Sequence, residues 1–197
     1  MDTVEIQNWI TTLIAELDNP DVMQRYQARQ ALLNLGRATV ESLGRAIEAG
    51  NAHIARQAAE ILAEIADVRR MDFLLKAAHA PDPILRQKVI LLLGNLICEE
   101  AQVALCDALH DELELVRVSA AQAIGESGNS QFAPCLLDAL EASTSETMQY
   151  TIIEALGKLG DPTAIPAVTK YLDSDNAHVR SRAEQALQAL QSKDENE

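Results

Sequence analysis

The sequence predicts an all-α fold, a right-handed solenoid of about six stacked two-helix repeats of about 31 residues. Three observations lead there. A pattern close to x-V-R-x-x-A-x-x-A-L-x-x-L-G occurs six times, its first position at Gln24, Ile54, Leu85, Val116, Met148 and Val179, with spacings of 30, 31, 31, 32 and 31 residues. Hydrophobic residues make up 48% of the chain but aromatics only 3%, a balance that suits close helix packing better than sheets. Clusters of Gly, Pro, Asp, Asn and Ser fall between the periodic segments, where turns are needed.

Taken in order, the first helix opens at Asp2, whose spacing to Glu5 is that of a capping box. Ile6, Trp9, Ile10, Leu13, Ile14 and Leu17 form its apolar stripe, with Trp9 covering the open end of the stack. Asp18-Asn19-Pro20-Asp21 interrupts the chain before the second helix, which stops at Gly36. The later first helices carry Leu43/Ile47, Leu74/Ala78, Leu105/Leu109, Leu136/Leu140 and Val168/Leu172 at the positions of Leu13/Leu17. Each second helix places a small or aliphatic residue four positions after its first anchor (Ala28, Ala58, Val89, Ala120, Ile152, Ala183). Seven and eight positions on stand Ala31/Leu32, Ile61/Leu62, Leu92/Leu93, Ala123/Ile124, Ala155/Leu156 and Ala186/Leu187. These offsets mark one stripe of an α-helix. Gly50-Asn51, Pro81-Asp82-Pro83, Ser143-Thr144-Ser145 and Asp173-Ser174-Asp175-Asn176 divide the helices within repeats, and Ala66-Asp67, Gly128 and Gly160 end further second helices. The repeats are read as residues 3–36, 37–66, 67–97, 98–128, 129–160 and 161–191, one domain over 1–191, followed by a disordered acidic tail at 192–197. Small residues at offsets four and seven let neighbouring helices approach closely, so each hairpin covers the apolar face of the next.

Composition narrows the function. The acidic start lacks the basic and apolar regions of a secretory signal, and the longest apolar stretch, Val89–Cys98, is well short of the roughly 20 residues that span a bilayer. No membrane association is expected. Cys98, Cys106 and Cys135 are odd in number and lack a CxxC or His-rich companion, which argues against a disulfide framework or a structural zinc; they read as small buried hydrophobes in a reducing, cytoplasmic compartment. The formal charge of −14 repels phosphate backbones and excludes nucleic acid as a partner. That charge is uneven: residues 1–98 hold 12 acids and 10 bases, residues 99–197 hold 18 acids and 6 bases. The acidic half is suited to steering a basic partner.

The segments Leu115–Asn129 (LVRVSAAQAIGESGN), Met148–Val168 (MQYTIIEALGKLGDPTAIPAV) and His178–Leu190 (HVRSRAEQALQAL) resemble the short HEAT-like repeats named after the phycobilisome lyases. The resemblance covers nearly the whole chain. It implies a HEAT-like solenoid and brings with it subunits of bilin lyases, antenna-dismantling proteins, metal-cofactor assembly factors and plain adaptors, so a bilin or a bilin-carrying protein joins the candidate partners. Gln24 departs from the pattern where an aliphatic anchor is usual, and Ala55 and Gln149 depart where Arg is usual.

The recurring Arg25, Arg86, Arg117 and Arg180 are read as structural, bonding an acid or a carbonyl of the adjoining repeat, with Asp21, Asp82, Asp111 and Asp175 just upstream. His79 and His110, and likewise His53 and His178, repeat in position, but stacked helices stand about 8–10 Å apart, too far to share an ion. They read as solvated turn residues, and no metal or other cofactor is expected. Carboxylates do not pair with a His and a Ser or Cys in a pattern suited to acid–base or nucleophilic work, so the reading is a non-enzyme, a bilin lyase subunit being the enzymatic alternative. The remaining positions of the second helices, which line the concave surface of HEAT stacks, form the candidate protein-binding groove: Tyr26, Gln30, Arg56, Glu60, Gln87, Leu91, Val118, Gln122, Tyr150 and Glu154. Amides there can bond a partner's backbone while aromatic and aliphatic groups supply anchors, and aromatics are too few to stack a tetrapyrrole. The sequence thus points to a non-catalytic scaffold that binds another protein.

Overall fold

A computed structural model describes residues 2–96 and 98–194, and among them every regular element is helical. Six helix pairs follow one another: α1 (Thr3–Glu16) and α2 (Val22–Leu35), α3 (Val40–Glu48) and α4 (Ala52–Glu64), α5 (Arg70–Ala77) and α6 (Pro83–Leu93), α7 (Glu99–Ala108) and α8 (Glu114–Ser127), α9 (Ala133–Ala142) and α10 (Glu146–Leu159), α11 (Ile165–Thr169) and α12 (Ala177–Asp194). The chain forms two compact units, residues 1–92 and 93–197. The last helix runs through Asp194, so Ser192 to Asp194 are helical where the sequence suggested disorder; residues 195–197 lie outside the described set.

Local chemistry explains the helix ends. The capping box forms, with the Glu5 amide donating to Asp2 Oδ1 and the Asp2 amide donating to Glu5 Oε2, each at 2.8 Å. Asp21, Asn51, Ser145 and Asn176 cap α2, α4, α10 and α12 through side-chain oxygens that accept first-turn amides. Gly128 and Gly160 close α8 and α10 in the left-handed region, at φ 64° and 71°, where a Cβ would be strained.

In the first unit, Leu43 and Leu74 of the first helices and Ala28, Leu32, Ala58 and Leu62 of the second helices are buried. Gln24, in the slot of the usual aliphatic anchor, is exposed, and Trp9 is 41% exposed; Ile10 of α1 and Leu17 just after it are buried. In the second unit the same register buries Leu105, Leu136, Val168, Ala120, Ile124, Ile152, Leu156 and Ala183.

Glycines set the helix spacing in the second unit. A Cβ on Gly94 would lie 2.7 Å from Ala123 Cβ, one on Gly125 2.9 Å from Ala155 Cα, and one on Gly157 2.9 Å from Ala186 Cα. Each glycine stands nine positions after its repeat's first anchor and meets the offset-seven alanine of the next second helix. The close approach expected of the small residues is therefore real here, with glycine as the missing half of each pair.

Candidate functional site

The recurrent arginines are structural, and each donates to carbonyls of the loop in its own repeat. Arg25 Nη1 donates to the carbonyls of Asn19 (2.7 Å) and Pro20 (3.1 Å), and Arg86 Nη1 to those of Ala80 (2.9 Å) and Pro81 (3.2 Å). Arg117 does the same to Asp111 (2.6 Å) and Glu112 (3.0 Å), and Arg180 to Ser174 and Asp175. Each guanidinium thus clasps the loop six and five residues upstream, tying the end of the first helix to the start of the second. Gln149 repeats half of the interaction, donating to the Ser143 carbonyl at 3.0 Å.

The second-helix row of the first unit divides into exposed anchors and fixed charges. Tyr26 is 58% exposed and Leu91 38%. Arg56 is held by Asp82 at 3.0 Å, and Glu60 receives Lys88 at 2.5 Å with Arg29 at 3.7 Å, while Arg29 also pairs with Glu64. Gln30 and Gln87 are half-buried between them.

In the second unit, Val118 is half-buried and Gln122 exposed, but Tyr150 and Glu154 are already engaged within the protein. The Arg182 guanidinium lies 4.6 Å from the centre of the Tyr150 ring, and its Nη2 donates to the Tyr150 hydroxyl at 2.7 Å. Glu154 pairs with Lys158 (3.0 Å) and Arg182 (3.4 Å). The offset-six acid of one repeat thus meets the offset-three base of the next, Glu60 with Lys88 and Glu154 with Arg182. Both residue types are visible in the sequence at those offsets, a signal that reading the row one helix at a time missed.

The cysteine reading is corrected. Cys106 of α7 and Cys135 of α9 form a disulfide, with Cα atoms 5.8 Å apart, and Cys98 is free. Both bonded cysteines are half-buried rather than core residues. The signal lay in their separation of 29 residues, close to the repeat period, which puts Cys106 one residue after anchor Leu105 and Cys135 one before anchor Leu136. Cysteine usage consequently no longer argues for a reducing compartment.

His79, His110 and His178 are exposed and His53 is half-buried; among the described residues no three His, Cys, Asp or Glu side chains gather as a metal site. No helix among them is long and apolar enough to cross a membrane. The marked electrostatic perturbation is away from the rows: hydrogen bonds from Arg69 hold the Asp67 carboxyl well below the usual carboxylate range, at about 2.

The HEAT-repeat family model matches residues 10–94, 71–147 and 103–188 in overlapping segments. The chain belongs to the HEAT-repeat family. Among curated relatives, the bilin biosynthesis protein PecE of Mastigocladus laminosus is 30% identical over 106 residues, which is 50% of this chain and 39% of that protein. The deoxyhypusine hydroxylase of Candida albicans is 28% identical over 88 residues, 44% of this chain and 28% of that one. The matched region therefore spans well under half the length of either relative. A designed armadillo repeat protein in complex with the peptide (KR)4 has a similar fold, at TM-score 0.57 and 17% identity, over 92% of this chain and 99% of that one. HEAT and armadillo neighbours of such different activities share the scaffold, and the scaffold does not choose among them.

Proposed function

We propose that the protein is a non-catalytic HEAT-repeat scaffold that holds a partner protein against its second-helix faces, with the acidic second half favouring a basic partner. The observation that carries this reading is the first unit's row, where Tyr26 of α2 and Leu91 of α6 stand exposed on helices that the charge ladder Arg29–Glu60–Lys88 links through α4. Side chains held in a ladder lose little freedom on binding, and a large exposed aromatic is the residue type that anchors interfaces. The armadillo protein with its (KR)4 peptide supports the idea that a repeat fold of this kind can receive a basic chain.

The test is capture from the native host's lysate by the wild type and by Tyr26→Ala/Leu91→Asp, after circular dichroism shows both folded. A partner retained by the wild type and lost by the variant supports the proposal; an identical set on both sinks it.

A second reading, a bilin lyase subunit or antenna-handling factor, is supported by the likeness to PecE over half the chain. It predicts a shifted absorption band when free bilin is added to the purified protein. An unchanged bilin spectrum would remove it.

A further inference from the structure

We propose that the cleft beside Ala55 is a socket for an arginine side chain supplied by a partner polypeptide. The socket is separate from the exposed anchors Tyr26 and Leu91, so its test and theirs fail independently.

Arg25, Arg86, Arg117, Gln149 and Arg180 all stand four residues after the N-terminal cap of their helix, and each amide donates to the carbonyl of that cap residue. Ala55 occupies the same place: its amide donates to the Asn51 carbonyl at 2.8 Å, as that of Arg86 donates to Asp82 at 3.0 Å. In the five other repeats the side chain at this place donates to the loop carbonyls upstream. Ala55 has nothing with which to do so. Among the described residues no side chain donates to the carbonyl of Ala49 or Gly50, the corresponding pair.

The space follows the same logic. A cavity of about 480 Å³ is lined by Gly50, Phe73, Lys76 and His79, with Glu48 and Asp82 at its polar side, and Ala55 lies at its floor, 2% exposed. The equivalent place in the second unit, bounded by Leu109, Ala139 and Met148, is occupied by Arg117 and leaves about 250 Å³. Replacing Arg by Ala thus coincides with a cleft roughly twice as large, which reaches Gly50 of the loop whose counterparts bind guanidinium. Lys76 also lines the cleft, but its charge is engaged by Glu48 at 3.6 Å, and Asp82 is engaged by Arg56 at 3.0 Å.

The fold itself names the occupant. An arginine has an apolar stem and a terminal nitrogen whose two N–H groups suit two successive carbonyls, as Nη1 does in four sister repeats. A lysine's ammonium is the more strongly hydrated group and sheds more water on entry. Entry of a partner's arginine would complete in repeat two, from outside, the clasp that the other repeats complete from within.

The experiment is an amide NMR titration of the full chain with N-acetyl-arginine amide and, separately, N-acetyl-norleucine amide, which keeps the stem without the guanidinium. Expected are saturable shifts confined to Gly50, Ala55, Ala77 and their neighbours, with arginine binding about five-fold or more tighter than norleucine. Ala55→Arg fills the socket from within; it is expected to abolish the shifts and raise the melting temperature. Ala55→Gln, patterned on Gln149, weakens binding without demanding a full guanidinium and serves if the arginine variant does not fold. Equal or tighter binding of norleucine overturns the proposal in favour of a plain apolar cleft. Shifts absent with both probes, or unchanged in a folded Ala55 variant, overturn it outright.

Discussion

Replacing Gly157 by alanine sets two effects of opposite sign against each other. Gly157 is buried within α10, where alanine is intrinsically favoured over glycine by about 1 kcal/mol. A Cβ there would lie 2.9 Å from Ala186 Cα and 3.0 Å from Ala186 Cβ, against about 3.5–4.0 Å for comfortable carbon contacts. The nearest obstacle is backbone, which no rotamer change can clear, so α12 must move off α10 by roughly 0.5–1 Å. Overpacking of this kind costs about 1–3 kcal/mol, and separating the helices also loosens contacts on either side of the pair. The expected net effect is destabilisation by about 1–2 kcal/mol, a drop of several degrees in Tm. Urea and thermal unfolding followed by far-ultraviolet circular dichroism measures it, and Gly125→Ala, facing Ala155 at the same distance, should behave alike. A Gly157→Ala protein more stable than wild type would show that helix propensity governs the site and that α10 and α12 are not in close backbone contact.

Other consequences are independent of that pair. Arg117→Ala removes two charge-assisted bonds to the loop carbonyls of Asp111 and Glu112 and should cost about 1–3 kcal/mol by denaturant unfolding; a loss within error would show the clasp to be ornamental. Leu156→Ala, at a fully buried position, should cost about 3 kcal/mol in the same assay. Without reductant, a thiol-alkylating reagent on the unfolded chain should add one label, at Cys98, and after reduction three, as read by intact mass; three labels from the start would contradict the Cys106–Cys135 bond. Asp67 titrates at about 2 when folded and near 3.9 when unfolded, so its contribution to stability is fully present above about pH 4 and is lost as pH falls towards 2. Arg69→Ala should return the Asp67 carboxyl to the ordinary carboxylate range, observable by side-chain carboxyl NMR, and an unmoved titration would refute the assignment to Arg69.

The repeat could be read from sequence because apolar periodicity is a property of single helices: the anchors at Ala28, Ala58, Val89, Ala120, Ile152 and Ala183 are all buried. What one helix presents to the next was harder to see. Gly94, Gly125 and Gly157 carry no hydrophobic signal, and their role emerges only opposite Ala123, Ala155 and Ala186. Arg25, Arg86, Arg117 and Arg180 were recognisable as structural, but the carbonyls they clasp are backbone atoms without a residue-type signature, and the direction of the bond had to come from the fold. Tyr150 was legible as an aromatic on the second-helix row, whereas its engagement by Arg182 depends on a residue 32 positions away. Counting cysteines obscured a pair that comparison with the repeat period would have brought together.

Site-specific photocrosslinking in the native host tests whether the second-helix face receives a protein. A benzophenone amino acid placed at Tyr26 on α2 is compared with one at Asp138, an exposed position on the first helix α9. Expected is a discrete crosslinked partner from position 26, diminished by Leu91→Asp, and none of that partner from position 138. Crosslinks to the same partner from both positions, or from Asp138 alone, would place binding elsewhere on the protein and contradict the account.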